Sequence, residues 1–381
     1  MSNYIEKSLT PDQIGVLSDL IKIAGIEIEV STLNEASKEW MRLSSKELEK
    51  FKHGEDSVVI KIDRGILDTI PSLVEQYRKS AGWYLVFNKT IYKMLNDNDA
   101  TLFLVMLAVT SANTQLDMNL EYAIYSYQAI QKDLSSNKEL LKEFIYLLLD
   151  KKFIKPRDIG STKKIIQKFD KGNPNNKFKD LNYYKFVRDK MSIGAHSNGI
   201  NRLMRYYFEH SESVSQKSVV KILSSALSSL GKLNKGDKDI ITSYKVYNFA
   251  LNLLNPDHKV QFSEDLEWEP VTIDTWMIYF FYPEAYNLVK EEKKEFKSKI
   301  FSTYRKYMYL GKLVQEQAHK IGLSTYELQS IIWIGTINKY KPGTKEKNLT
   351  GALQTLEERL EKNNLKSSDV YKFLKRIKDA I

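Results

Sequence analysis

Apolar residues at helical spacing are the feature of this sequence that most restricts its fold. Between Leu140 and Leu149 they stand at positions 140, 141, 144, 145, 147, 148 and 149, along one broad side of an α-helix. A second apolar segment, Ala100 to Thr110, follows Asn96-Asp97-Asn98-Asp99, a sequence typical of helix N-caps. Further helices are predicted at 68–79, 218–230, 244–254, 284–321, 324–337 and 346–380. The chain is therefore predicted to be mainly α.

The N-terminal part of the sequence has a different pattern. Ile26 to Val30 alternates apolar and acidic residues with a period of two, and Val58 to Ile62 is a second candidate strand. We therefore predict a small N-terminal α/β cap over residues 1–85, a helical domain over 86–345 and C-terminal helices over 346–381. Within the helical domain, Asn255 to Pro270 is interpreted as an acidic loop.

Composition excludes several classes of site. The sequence has no cysteine, which rules out disulfides, thiolate zinc sites, a cysteine nucleophile and an iron–sulfur cluster. Its five histidines are scattered, so we expect no metal site and no cofactor. No apolar run approaches the roughly 18 residues that span a bilayer. The N-terminus has no basic region followed by an apolar stretch, so we expect a cytoplasmic protein with no membrane partner.

Positive charge is concentrated in the middle of the chain. Residues 151–250 contain 21 basic and eight acidic residues, a net charge of +13, whereas the remaining residues sum to −3. A field of this kind attracts a polyanion, because each phosphate contact releases condensed counterions. The alternative is a lysine-rich surface that is simply solvated.

A basic turn lies in this region between two apolar segments. Leu230 is followed by Gly231 and by lysines at 232, 235 and 238, and another apolar segment comes next. Glycine lets the backbone approach a phosphate, and helix N-termini favour anions. Lys232, Lys235 and Lys238 are therefore predicted to contact DNA.

Two segments after this turn resemble the helix–hairpin–helix DNA glycosylase superfamily, particularly its 8-oxoguanine-type members. Lys245 stands at the start of an apolar helix, and Pro270-Val271-Thr272-Ile273-Asp274-Thr275-Trp276-Met277 follows after a loop. In that family a lysine begins a helix after the hairpin, and the catalytic aspartate closes a short apolar segment. The resemblance implies that Lys245 and Asp274 are the catalytic pair. It also implies a two-lobed helical fold, with a basic lobe over about 151–255.

A further match lies upstream, in Leu107-Ala108-Val109-Thr110-Ser111-Ala112-Asn113. The resemblance implies that Asn113 fills the gap left in DNA by an extruded nucleotide. The hairpin itself departs from the family, since Gly-Lys-Leu-Asn-Lys-Gly-Asp replaces Leu-Pro-Gly-Val-Gly. Lys245 and Asp274 are also 29 residues apart, a longer separation that an insertion at Asp257 to Glu269 would explain.

The resemblance implies an enzyme that binds double-stranded DNA and extrudes a modified or damaged base. Asp274 would stabilise positive charge on the sugar, and Lys245 would attack C1′ and form a Schiff base. Asp274 also occupies an N-cap position, a purely structural alternative. Trp83, Trp276 and Trp333 are interpreted as core residues rather than base-stacking platforms.

Two other functions remain open at this point. One is a DNA-binding protein that has the fold without the reaction. The other follows from a resemblance to bacteriophage relatives of these glycosylases, through segments such as Gly82-Trp83-Tyr84 and Glu327-Leu328-Gln329-Ser330-Ile331-Ile332-Trp333. That resemblance implies an enzyme of thymine hypermodification.

Overall fold

The structure of the protein is a computed structural model. It describes residues 62, 64–111, 114–149, 166, 172, 175–189, 194–210, 212–221, 223, 238–263, 266–300, 304–343 and 348–381. Helices dominate this part of the chain, so the prediction of a mainly α protein is confirmed. The cap strand predicted at Ile26 to Val30, and residues 58–61 of the second one, lie outside the described residues.

The elements are numbered here in chain order. The helices are α1 (Ile70–Tyr77), α2 (Trp83–Met94), α3 (Asp97–Val109), α4 (Leu116–Ser136), α5 (Lys138–Leu149), α6 (Asn182–Asp189), α7 (Gly194–Glu209), α8 (Lys238–Leu254), α9 (Thr275–Phe281), α10 (Lys290–Ile300), α11 (Tyr304–Lys320), α12 (Thr325–Tyr340), α13 (Leu349–Lys362) and α14 (Asp369–Ala380). The strands are β1 (Val260–Ser263) and β2 (Leu266–Trp268), and short 3-10 turns lie at Arg64–Thr69, Arg78–Ser80, Lys177–Asp180 and Pro283–Tyr286.

The chain divides into two compact units. One combines residues 1–85 with 220–344, and the other combines 86–219 with 345–381. In the second unit α4 is the central helix, and α3, α6, α13 and α14 pack against it. The predicted cap of α3 is confirmed, since the Asn96 side chain accepts the backbone N–H of Asp99 at 2.9 Å. Every residue from Ala100 to Ala108 is buried, as expected of a helix that is apolar on all sides.

A buried carboxylate orients α6 in the second unit. Asp133 is fully buried on α4, and its two oxygens accept the backbone N–H groups of Asn182 and Tyr183 at 2.9 and 2.8 Å. These groups begin α6 and have no partner within that helix. The negative charge also complements the positive end of the helix dipole, so one side chain fixes both position and direction.

In the first unit α12 is the central helix, packed by α1, α9 and α11. Its apolar residues surround the helix on all sides, so most of it is buried. It begins with a capping box, in which Ser324 and Glu327 satisfy each other's backbone N–H groups. The candidate site is built on the side chains and loops that contact this helix and α8.

A β-hairpin occupies the stretch before Asp274. β1 and β2 are antiparallel, with Val260 opposite Trp268 and Gln261 opposite Glu267. The prediction of an acidic loop over Asn255 to Pro270 is therefore wrong for the strand residues. Apolar residues do alternate there, in Val-Gln-Phe-Ser and Leu-Glu-Trp, but each run is short and is followed by acidic residues. The hairpin lies within the proposed insertion.

Candidate active site

Helix α8 carries the first group of site residues. Lys245, Asn248 and Asn252 follow one another at spacings of three and four, which places them along one face of the helix. The prediction that Lys245 begins this helix is wrong, because α8 starts at Lys238. Residues 239–244 include no glycine or proline, so nothing local stops the helix before Lys245.

The two asparagines attach α8 to the segment that leads into Asp274. The Asn248 oxygen accepts the indole N–H of Trp268 and the backbone N–H of Val271, both at 3.2 Å. The Asn252 amide donates to the Thr272 hydroxyl, also at 3.2 Å. Both asparagines are fully buried, so these bonds form where water cannot replace them. They set the register between α8 and this segment.

Tyr307 of α11 holds the same segment from another helix. Its hydroxyl donates to the carbonyl of Val271 at 2.8 Å and accepts the backbone N–H of Ile273 at 2.9 Å. Burial raises the pKa of Tyr307, so the hydroxyl keeps its proton and remains a donor at physiological pH. The segment has no regular secondary structure, and these bonds satisfy its backbone groups.

Asp274 ends the segment and begins α9. Its Oδ1 accepts the backbone N–H groups of Trp276 and Met277 at 2.8 and 3.0 Å, so the expected N-cap is present. Its Oδ2 accepts the indole N–H of Trp333, on α12, at 2.9 Å. Three donors therefore fix the orientation of a carboxylate that is still partly exposed.

Lys245 and Asp274 interact electrostatically in this arrangement. Burial lowers the pKa of the Lys245 amine below its ordinary value, and the negative charge of Asp274 partly opposes that effect. The residue as a whole is partly exposed, whereas protein atoms surround its amine. Lys297 of α10 is a second lysine near the carboxylate: burial lowers its pKa, Asp274 raises it and Lys293 lowers it further. The charge of Asp274 thus acts on two amines.

Uncharged polar groups surround Thr272, two residues before Asp274. The hydroxyl of Tyr84 lies beside the side chains of Thr272, Asn252 and Gln329, and all four residues are buried. Burial raises the pKa of Tyr84, so this hydroxyl is neutral. The cluster therefore provides hydrogen-bond donors and acceptors without a charge.

Glu269 connects the end of the hairpin to the start of α12. One oxygen accepts the backbone N–H and the hydroxyl of Thr325, and the other lies 2.8 Å from Nε2 of His319. Burial by itself would raise the pKa of Glu269, but the hydrogen bonds from Thr325 and His319 outweigh it and lower the pKa. The charged carboxylate therefore stabilises the native state.

We expect Glu269→Gln to lower the free energy of unfolding by about 1–2 kcal/mol near neutral pH. Because the folded pKa lies below the ordinary value of 4.5, this contribution is complete above that value and is lost as the pH falls through the folded pKa. The difference between wild type and variant should narrow below about pH 4.5. Denaturant unfolding between about pH 6 and pH 3 measures this difference in the free energy of unfolding. A difference that stays constant over this range would contradict the lowered pKa of Glu269.

The other residues predicted to bind DNA are placed only in part. Asn113, Lys232 and Lys235 lie outside the described residues. Lys238 is the first residue of α8. Trp83, Trp276 and Trp333, interpreted from the sequence as core residues, are all partly exposed.

The residues that connect helices α8, α11 and α12 to the segment ending at Asp274 were not predicted from the sequence. These are Asn248 and Asn252, together with Tyr307 and Trp333. A pattern was present for the asparagines, since two amides at a spacing of four interrupt an otherwise apolar helix. Nothing local distinguishes Tyr307 or Trp333 from other aromatic residues.

Comparisons with protein-family models, curated proteins and solved structures find no match to this chain. Among the described residues, no helix is long and apolar enough to cross a membrane. In the same part of the chain, no three histidine or acidic side chains lie together as metal ligands.

Proposed function

We propose that this protein binds double-stranded DNA and removes a modified or damaged base by cleaving its N-glycosidic bond. The observation that carries the proposal is the electrostatic interaction of Lys245, whose pKa burial lowers, with the oriented carboxylate of Asp274. A perturbed lysine beside a fixed carboxylate is typical of a reaction centre. The proposal includes the two-lobed glycosylase-like fold with an N-terminal α/β cap, with Lys232, Lys235 and Lys238 at DNA phosphates and Asn113 in the gap left by the extruded nucleotide.

Asp274 would act on the sugar. As the bond between C1′ and the base nitrogen lengthens, its electron pair moves to the base and positive charge develops at C1′. A carboxylate held by three donors is already oriented, so it stabilises that charge without reorganising. The departing base takes up a proton and leaves as the neutral molecule.

Lys245 would form the new bond to C1′. Its nitrogen lone pair attacks as the base leaves, and the proton that the amine loses balances the one that the base takes up. The bond between C1′ and the ring oxygen then breaks, that oxygen takes up a proton from water, and a protonated Schiff base results. Loss of a proton from C2′ of that intermediate would expel the 3′ phosphate and cleave the strand. An ordinary lysine is almost entirely protonated at neutral pH, with a pKa of about 10.4. Burial increases the fraction of Lys245 that is neutral and nucleophilic.

Borohydride trapping tests the proposal, with duplex oligonucleotides that each bear one candidate base. We expect wild type to form a covalent adduct with at least one of them and Lys245→Ala to form none. Lys320→Ala is the matched control, because Lys320 is an exposed lysine of the same unit, and we expect it to form the wild-type amount.

Three outcomes contradict the proposal. An adduct that persists in Lys245→Ala would show that another amine reacts. Duplex binding without adduct or abasic product for any base would indicate a non-catalytic DNA-binding protein. Elaboration or replacement of thymine in phage-type modified DNA would indicate a hypermodification enzyme.

A further inference from the structure

Aromatic rings and lysines alternate on the surface beside Asp274. The rings belong to α9, the 3-10 turn that follows it and the end of α12, and the lysines to α10 and the end of α12. We call this set the aromatic–lysine surface. Its members are Trp276, Tyr279, Tyr286, Tyr340, Lys293, Lys297, Lys339 and Lys341.

The rings form a continuous series. Trp276 meets Tyr279 edge to face at 5.7 Å between centroids, and Tyr279 meets Tyr286 in the same way at 5.3 Å. Tyr286 and Tyr340 are stacked, with centroids 4.2 Å apart. Tyr279 is buried, whereas the other three rings are partly exposed. Three ring systems are therefore accessible along one edge of the first unit.

Each ring of the series has a lysine over it. The ammonium nitrogens lie 5.4 Å from Trp276 (Lys341), 5.4 Å from Tyr279 (Lys297), 5.1 Å from Tyr286 (Lys293) and 5.4 Å from Tyr340 (Lys339). Two carboxylates act on these rings. Burial and the charge of Glu284 raise the pKa of Tyr340, and burial, Tyr286 and the charge of Asp274 raise the pKa of Tyr279. Exposed carboxylates also lie on α10, at Glu291, Glu292 and Glu295.

We propose that the aromatic–lysine surface binds an unpaired DNA strand, with bases stacked on the exposed rings and phosphates on the displaced lysines. Stacking of a base on a protein ring contributes a factor of about 5 to 150 in affinity. An exposed contact between a lysine and a ring contributes only about two- to fivefold. A base therefore displaces the lysine from the ring face, and the ammonium becomes available to a phosphate.

The position of this surface links it to the reaction. Trp276 donates its backbone N–H to the carboxylate of Asp274, and the charge of Lys297 interacts with the same group. A strand stacked on Trp276 therefore ends beside the proposed reaction centre. This inference rests on the proposed function, because it assigns to this surface the unpaired part of the DNA whose base is removed. The binding itself can be measured without any reaction.

Fluorescence anisotropy tests the inference, with a labelled oligonucleotide of unmodified bases as a single strand and as its perfect duplex. We expect the ring substitutions to weaken binding of the single strand and to leave binding of the duplex unchanged. Trp276→Ala and Tyr286→Ala should each weaken single-strand binding about fivefold or more. Tyr146→Ala is the matched control, because Tyr146 is an exposed tyrosine of the other unit with a cation, Arg205, over its ring.

Salt dependence gives a second readout. Replacing Lys293, Lys339 and Lys341 together by glutamine should flatten the slope of log affinity against log salt by about 2, since each phosphate contact on a single strand contributes about 0.7. Thermal unfolding establishes that each variant is folded. Equal single-strand affinity of wild type and both ring variants, or an equal loss of duplex binding in those variants, would overturn the inference. The anisotropy experiment uses unmodified DNA, which gives no adduct. A negative anisotropy result therefore leaves the trapping result valid, and a negative trapping result leaves the anisotropy result valid.

Discussion

Asp274→Asn is expected to slow base release about 100-fold or more, at a small cost in stability. Asparagine caps a helix as well as aspartate does, because its amide oxygen can still accept the N–H groups of Trp276 and Met277. The negative charge that stabilises the sugar in the proposed reaction is lost. The amide nitrogen would also face the indole N–H of Trp333, and loss of that bond lowers the free energy of unfolding by about 1 kcal/mol.

Trp333→Phe is the matched control for this prediction. It removes the same hydrogen bond from Asp274 and keeps the charge, so we expect base release within about tenfold of wild type. The rate of base release by both variants is measured in single-turnover reactions with the oligonucleotide that gave an adduct in the borohydride experiment. Urea unfolding measures their stability. If Asp274→Asn reacts as fast as Trp333→Phe, the carboxylate only caps a helix.

Gly311→Ala is expected to lower the free energy of unfolding by about 1–3 kcal/mol. Gly311 lies within α11, where alanine would normally be favoured by about 1 kcal/mol. A methyl group at this position would overlap the ring of Trp268 and the side chain of Val271. Neither can withdraw freely, since Asn248 binds both the Trp268 indole and the Val271 backbone. The overlap therefore outweighs the gain in helix propensity.

Gly82→Ala is the control for this substitution. An added methyl group at Gly82 meets no atom within 4 Å, so we expect its effect to stay within about 0.5 kcal/mol. Urea unfolding of the two variants beside wild type measures the difference. Gly311→Ala should also slow base release, because Val271 belongs to the segment that positions Asp274. A Gly311→Ala protein as stable as wild type would show that α11 and the hairpin can move apart at little cost.

Local patterns accounted for several helices and for the caps of α3 and α9, whereas α2, α6 and α7 were not predicted. The helix over Leu140 to Leu149 and the cap of α3 were both predicted correctly. Each depends on residues within one or two helical turns of each other. The cap at Asp274 is of the same kind, since its N–H partners are two and three residues away. Where local information was ambiguous, the prediction failed: the hairpin was taken for a loop, and α8 begins before Lys245.

The sequence by itself determined a helical protein, because helical period and capping chemistry act over a few residues. A resemblance of short motifs marked Lys245 and Asp274. Only the tertiary structure decided what surrounds those two groups. Asn248 and Asn252 find partners 23 and 20 residues away, Tyr307 binds a segment 34 and 36 residues away, and Trp333 reaches Asp274 across 59. Such contacts depend on how helices pack, and the direction in which a buried polar group finds its partner is not encoded in local spacing.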